Sequence, residues 1–532
     1  MATLQIRHLV RATILSVALG VSATAGSFEL MEATIADVQA AYKSKELTSR
    51  QLVQMYLDRV AAYDQKGPKL NVVISLNPDA LAEADKLDAA YAKSGPVGPL
   101  HGVPVFIKDQ FDAAGMPSTL GSVLLKDYKP ARDAYVTERL RKAGAIILGK
   151  NTLGELGGGD SYGSLFGESS NPYAPDRTVG GSSGGTGAAM AANFATIGIG
   201  EEGSSSIRRP SAWNSVVGMR PSLGLVSRGG MWDGWPSIFG SLGPMTRTVM
   251  DTAKILDVIA GYDAEDPATA YGIDKLPAGG YAKSLDRNAL KGARIGVIHQ
   301  VLSNNAEPAS DDFKKVDAAY DKAVAEMKAA GATVIDVEIP DALALIAKRA
   351  SGPTEQVDSW NGYFGRNAKQ SPYKTRAEMY SPENVAKVPK LSTRGGMGGG
   401  IESRDSRLTP EQKHYEYLKA RETLMTNLLK VMADKNLDAV VHKSTEHQPN
   451  LIKDAITPPY ASTRGVISLN TFLVYVPVVS VPAGFTTDQL PIGITFLGRP
   501  YSDAKMLSLA YSYEQATKHR KPPATTPALA KK

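Results

Sequence analysis

Short apolar runs and amphipathic helical patterns alternate along this chain, and that alternation restricts its fold more than any other feature. Thr48 and Gln51 form a capping-box pattern, after which Leu52, Val53, Tyr56, Leu57 and Val60 fall on one helical face. Val103–Ile107 is an apolar run suited to a buried strand, and a polar helix around Ala134–Ala143 leads into a second strand, Ala145–Leu148. Further strands are predicted at Arg294–Ile298, Thr333–Val337, Asp438–His442, Val476–Val481 and Ile492–Leu497, separated by helices at Asp311–Ala330, Pro410–Asp434 and Asp503–Thr517. Such alternation predicts an α/β layer fold with helices on both faces of one sheet. No internal repeat has solenoid spacing. Residues 262–290 read as a surface connection between two halves, and 391–407, with Gly395–Gly400 at its centre, as a mobile loop or surface insertion that leaves room for a lid.

Composition narrows the class. The 532 residues are 43% apolar and 21% charged, which excludes a disordered or fibrous chain. The net charge of +6 is small and scattered, so no nucleic-acid surface is expected. Cysteine is absent, which removes disulfides, thiolate nucleophiles, zinc–thiolate sites and iron–sulfur clusters together. At the amino terminus Arg7 and Arg11 precede an apolar run, Ala12–Val21, and then Ala23-Thr24-Ala25. That layout predicts a cleavable signal peptide over residues 1–25 and a periplasmic or secreted protein, the alternative being an ordinary N-terminal helix of a cytosolic one. No other segment reaches membrane-spanning length, so no stable insertion is expected.

Glycine and serine crowd the stretch 178–210. Gly180–Gly185 reads GGSSGG and is followed by an alanine-rich helical pattern, Ala188–Ala192, and a short strand around Ile197–Ile199. A second small-residue turn, Glu201-Glu-Gly-Ser-Ser-Ser206, comes next. Glycines beside serines let the backbone approach a reacting carbonyl and turn N–H groups inward, as an oxyanion hole requires, although an isolated GGSSGG is more often structural. Gly180–Gly184 also fits G-x-S-x-G, but the preceding Asn171–Thr178 is polar and carries Pro172 and Pro175, unlike the strand before a nucleophile elbow. None of the seven histidines (His8, His101, His299, His414, His442, His447, His519) stands in a triad-like context, and no H-E-x-x-H occurs. Without histidine or cysteine, serine needs another base, and a buried neutral lysine can serve. Lys108, ending the run Val103–Ile107, is the candidate, with a snorkelling surface lysine as the ordinary alternative.

Taken together, Lys108 in GPLHGVPVFIKD, the GGSSGG turn, and Ser206 before Ile-Arg, 24 residues after Ser182, resemble the amidase signature hydrolases. Gly149-Lys-Asn-Thr, Asn171-Pro172, Val217–Pro221, Gly243–Arg247, Val476–Phe485 and Ile492–Pro500 share the likeness. The resemblance implies the amidase-signature fold with a large central mixed β-sheet, in one catalytic domain over 26–532. Its family-like core lies at about 100–260 and its variable region at about 265–435. It implies that Ser206 attacks the substrate carbonyl, that Ser182, preceded by a cis peptide bond from Gly181, relays the proton, and that Lys108 accepts it. The N–H groups of Gly203, Ser204, Ser205 and Ser206 would bind the oxyanion, and Ser183 would support the lysine. Where the family has Gly-Thr-Asp-Thr-Gly-Gly-Ser, this chain has Gly200-Glu-Glu-Gly-Ser-Ser-Ser206. Glu202 keeps the carboxylate of the usual Asp, while Ser204 and Ser205 bring Cβ atoms that narrow the backbone angles of the loop. The Ile207-Arg208 register selects Ser206 as nucleophile, with Ser205 the second choice.

The expected reaction is hydrolysis of a linear amide, an aryl or alkyl amide or a peptide C-terminal amide, without metal or cofactor. Carbamate or ester hydrolysis on the same triad, an amidotransferase subunit releasing ammonia from glutamine, and a catalytically inactive binding protein are the alternatives. The expected partner is a small amide, with no nucleic acid; a homodimer is allowed. The pocket is expected from Leu156–Asp160, Trp232–Phe239, 393–400 and Thr457–Arg464, with Trp232, Trp235 and Phe239 as an aromatic lining or as core.

Overall fold

The computed structural model describes residues 28–303, 305–350, 355–389, 407–456 and 464–530. The leader expected over 1–25, the glycine-rich segment 393–400 and most of Thr457–Arg464 lie outside the described residues.

Eleven strands form one mixed sheet. In chain order they are β1 Val73–Leu76, β2 Pro104–Lys108, β3 Ile146–Asn151, β4 Ile197–Glu202, β5 Val217–Arg220 and β6 Ser241–Thr246, then β7 Arg294–Val297, β8 Thr333–Asp336, β9 Ala439–Lys443, β10 Val478–Phe485 and β11 Pro491–Leu497. Their spatial order is β1-β3-β2-β4-β6-β5-β10-β11-β9-β7-β8. β3, β2 and β4 run parallel, as do β9, β7 and β8; the strands between them pair antiparallel. Every residue of β2, β4, β9 and β11 is buried, which requires cover on both sides of the sheet; β4 and β9 carry polar residues only at their carboxyl ends, Glu201-Glu202 and His442-Lys443.

The predicted helices stand where their caps place them. Thr48 and Gln51 close a reciprocal capping box at the start of Ser49–Tyr63, and Pro410–Asp434 and Asp503–Thr517 keep their expected bounds. The alanine-rich helix begins earlier than expected, at Gly184, and all of Gly184–Ala191 is buried against β4. That close approach needs glycine in the strand: a Cβ on Gly198 would sit 2.6 Å from Thr186 Cγ2. Residues 265–435 supply β7 and β8 at one edge of the sheet. The connection 262–290 is pinned to the body by a buried ion pair, Arg228 Nε to Asp266 at 2.9 Å. Among the described residues no helix is long and apolar enough to cross a membrane.

Candidate active site

Parallel pairing of β2 with β4 decides which residues meet. The register Phe106–Gly198 and Ile107–Ile199 brings the carboxyl ends of both strands together, with Lys108 beside Glu201. Binding crevices in open α/β sheets form at such strand ends. Lys108 is fully buried, and its Nζ lies 2.8 Å from Ser182 Oγ, 2.9 Å from Glu201 Oε2 and 3.5 Å from the Glu201 carbonyl. Burial pulls its pKa down, partly opposed by the Glu201 charge and hydrogen bond and by Glu202; the net direction is downward.

Ser182 sits in the turn before the helix Gly184–Ala191, after a cis Gly181–Ser182 peptide bond. Its neighbours hold the turn from every side. Gly154 N–H donates to the Ser182 carbonyl at 3.0 Å, and Ser161 N–H to that of Gly180 at 3.0 Å. Arg209 donates to the Gly181 carbonyl through Nε at 3.2 Å and Nη2 at 3.0 Å, and pairs with Asp160 at 2.7 Å. Gly180 has φ +76°, and a Cβ there would press on the Trp213 ring at 2.9 Å, so only glycine fits.

The second serine turn is shaped by Glu202. Its Oε2 accepts from Ile207 N–H at 2.8 Å and Arg208 N–H at 2.9 Å, and its Oε1 from Arg208 Nε at 2.8 Å. Burial alone would raise the Glu202 pKa, but the Arg208 and Arg220 guanidiniums prevail and hold it below the ordinary value. Arg208 Nη2 then donates to the carbonyls of Ser204, at 2.6 Å, and Ile467, at 3.0 Å. The two turns are joined where Ser183 N–H donates to the Ser206 carbonyl at 3.1 Å.

The expected residues therefore occupy different settings. Ser206 is half-buried, and its Oγ has no hydrogen-bond partner among the described residues, Ser182 included. The N–H groups of Ser204, Ser205 and Ser206 likewise donate to no described residue, while Gly203 is half-buried beside them. Ser204 Oγ donates to Ser468 Oγ at 3.1 Å, and Ser205 is buried. Ser183 is fully buried and hydrogen-bonds beside the lysine, not to it: its Oγ donates to the Glu201 carbonyl at 3.0 Å and accepts from Glu201 N–H at 3.2 Å. The three aromatic candidates do not form one lining. Trp232 is core, 4.2 Å between ring centres from Trp360 and packed on Tyr363 and Phe364; Trp235 is exposed; Phe239 rests on Tyr417. Leu156 is buried and Asp160 is taken up by Arg209. Sequence reasoning missed Glu201 as a lysine partner and Arg209–Asp160 as a clamp. A second carboxylate beside Glu202, one strand away from Lys108, was the available signal for the first. Among the described residues no cluster of His, Asp and Glu suits a metal ion.

A family model described as Amidase matches residues 51–507. A "Probable amidase" of Arabidopsis thaliana is 32% identical over 517 residues, covering 93% of this chain and 92% of that protein. A glutamyl-tRNA(Gln) amidotransferase subunit from Methanosarcina barkeri is 34% identical over 91% of this chain and 98% of its own length. The solved native peptide amidase of Stenotrophomonas maltophilia has a TM-score of 0.79 at 33% identity, over 94% of this chain and 99% of that one. Likeness of sequence and of fold thus runs through nearly the whole length, and the chain belongs to the amidase family, the amidase signature enzymes, as an amidase acting on amide C–N bonds.

Proposed function

We propose that the protein hydrolyses linear amides through a serine acyl-enzyme. Ser206 Oγ attacks the amide carbonyl while its proton passes through Ser182 to a neutral Lys108 Nζ. The oxyanion is received by the N–H groups of Gly203–Ser206, and the stored proton goes to the leaving nitrogen as the tetrahedral intermediate collapses. Water then cleaves the ester through the same relay. The observation that carries this reading is the 2.8 Å hydrogen bond between Ser182 Oγ and the fully buried Lys108 Nζ. Support comes also from the free N–H groups of the second turn. In the resting chain Ser206 is not yet bonded to Ser182; on this reading the contact closes when substrate arrives, as catalytic hydrogen bonds often do.

The substrate is an aryl or alkyl amide or an amide of a peptide, and likeness to the peptide amidase favours the last. The test is a panel of peptide amides, anilides, carbamates and esters on the purified protein, with fluorophosphonate labelling. Turnover and labelling should both vanish in Ser206→Ala, turnover should nearly vanish in Lys108→Ala, and Ser182→Ala should lose about two orders of magnitude. Wild-type rates in Lys108→Ala would overturn the base, and an unlabelled, inert protein would favour a binding role. The leader pattern supports export of this enzyme, with a mature chain beginning near Gly26, which N-terminal sequencing checks. A second reading, an ammonia-releasing amidotransferase component, has the 34% identity to the Methanosarcina barkeri protein in its favour; it requires glutamine to be hydrolysed ahead of the other amides.

A further inference from the structure

The proposed proton route ends on a nitrogen that must offer a lone pair, and a carboxylate stands against that nitrogen. Around Lys108 Nζ are Ser182 Oγ at 2.8 Å, Glu201 Oε2 at 2.9 Å and the Glu201 carbonyl at 3.5 Å. A neutral amine has two N–H groups to donate and one lone pair, whereas an ammonium has three donors and none. Both Glu201 oxygens can only accept while the side chain is ionised; of the three neighbours, the Ser182 hydroxyl alone can donate. With two N–H groups drawn to Glu201, the lone pair of the neutral lysine faces Ser182.

Glu201 is itself held for this task. Its backbone is fixed at both N–H and C=O by Ser183 Oγ, and its side chain is only 11% exposed. Most of the other charged groups around the pair are ion-paired elsewhere. Directly after β2, Asp109 is paired with Lys150 of β3 at 3.1 Å; on β4, Glu202 is paired with Arg208. The first serine turn is flanked by Arg209 with Asp160. From the segment after β5, Arg228 is paired with Asp266, and Asp233 is pushed up to about 7 by burial and then by the Glu201 charge. Among the described residues Glu201 is the one carboxylate within hydrogen-bond distance of Lys108.

We infer that Glu201 is a positioning residue for the base: it aims the Lys108 amine at Ser182, and its negative charge holds the lysine's proton to higher pH than burial alone would. The inference rests on the serine–serine–lysine reading above for its link to turnover, but not for the lysine's titration. Two consequences separate in substitution. Glu201→Gln keeps an acceptor and removes the charge, so the lysine deprotonates earlier; Glu201→Ala removes both. Because Ser183 grips the Glu201 main chain, neither change takes away what holds the turn.

The test measures kcat and KM from pH 5 to 10 for wild type and both variants, together with the Lys108 resonance in lysine-labelled protein, assigned by its loss in Lys108→Ala. In Glu201→Gln the acid limb of kcat/KM and the Lys108 titration midpoint should both move to lower pH by about one pH unit, giving roughly tenfold faster turnover on that limb. Its alkaline plateau should stay within a few-fold of wild type. In Glu201→Ala the plateau in kcat should fall about tenfold with KM little changed. A midpoint unmoved in Glu201→Gln overturns the electrostatic role, and equal plateaus in the two variants overturn the aiming role. If no Ser206-dependent turnover exists in wild type, the functional reading fails, and the lysine resonance still decides the electrostatic role of Glu201.

Discussion

Glu202 commits both carboxylate oxygens to the turn that presents Ser206, and both it and Arg208 are fully buried. Replacing it with glutamine leaves an uncompensated guanidinium in the core, so Glu202→Gln should destabilise the fold by about 3 kcal/mol, read as a lower urea midpoint. Fluorophosphonate labelling of Ser206 should slow in the variant even where it remains folded, because two N–H groups that shape the turn lose their charged acceptor. An unchanged midpoint would mean that Arg208 is held well enough by the Ser204 and Ile467 carbonyls alone. At this scale the turns that carry the candidate residues were legible. The two small-residue turns and the lysine ending an apolar run are local properties of the chain, whereas the roles proposed for Lys108, Ser182 and Ser206 came from the resemblance to the amidase signature hydrolases. Glu201 beside Lys108 was not legible, since 93 residues of chain separate the two and only the β2–β4 register joins them. The same holds for Arg209 on the Gly181 carbonyl and for Trp232, whose neighbours Trp360 and Tyr363 come from the variable region.

Elements show a comparable division. Apolar runs and capping residues marked most strands and the long helices, but β1, β5 and β6 passed unread as strands, β1 being only four residues long, β5 interrupted by glycine and β6 by glycine and proline. Pro244 sits inside β6 opposite Ile199, and a Cβ on Gly243 would lie 1.8 Å from the Met219 carbonyl oxygen. These are close-approach positions, where backbone contact replaces side-chain packing, so hydrophobic pattern carries no signal. Strand order is likewise a long-range property that alternation cannot supply. The packing of the helix Gly184–Ala191 on β4 gives a direct measure of how tight this approach is. Gly198→Ala puts a methyl group 2.6 Å from Thr186 Cγ2, 3.1 Å from Met190 Cγ and 3.3 Å from the Met245 carbonyl oxygen, in a fully buried contact. It should cost about 1–3 kcal/mol by urea denaturation, and turnover should fall as well, because the same helix follows the Ser182 turn. A variant as stable and as active as wild type would show that helix and strand can separate without disturbing the site.

Across the whole molecule the buried carboxyl groups set a pH dependence opposed to that of the proposed chemistry. Asp112, Asp251 and Asp503 are pushed up to about 6, and Asp233, Glu446 and Glu514 to about 7, in each case first by burial. For an acid whose folded pKa lies above its unfolded one, the native state binds more protons in the interval between them. Its stabilising contribution is complete below the unfolded value and is lost as pH rises through the folded value. His442, pushed down to about 3 first by burial, and His101 and Lys108, also lowered first by burial, work in the other direction, the two histidines only below their ordinary value of 6.5, but these three bases are fewer than the six raised carboxyl groups. Glu202, held low, matters only nearer its ordinary value of 4.5. Stability should therefore decline between about pH 5 and 8, seen as a falling urea midpoint at constant m-value, while turnover climbs as Lys108 gives up its proton. Substituting Glu514 by glutamine should flatten the upper part of that decline, since its raised pKa reflects a carboxyl that burial favours as neutral. A midpoint that instead rises steadily from pH 5 to 8 would mean that these carboxyl groups are ionised in the native core.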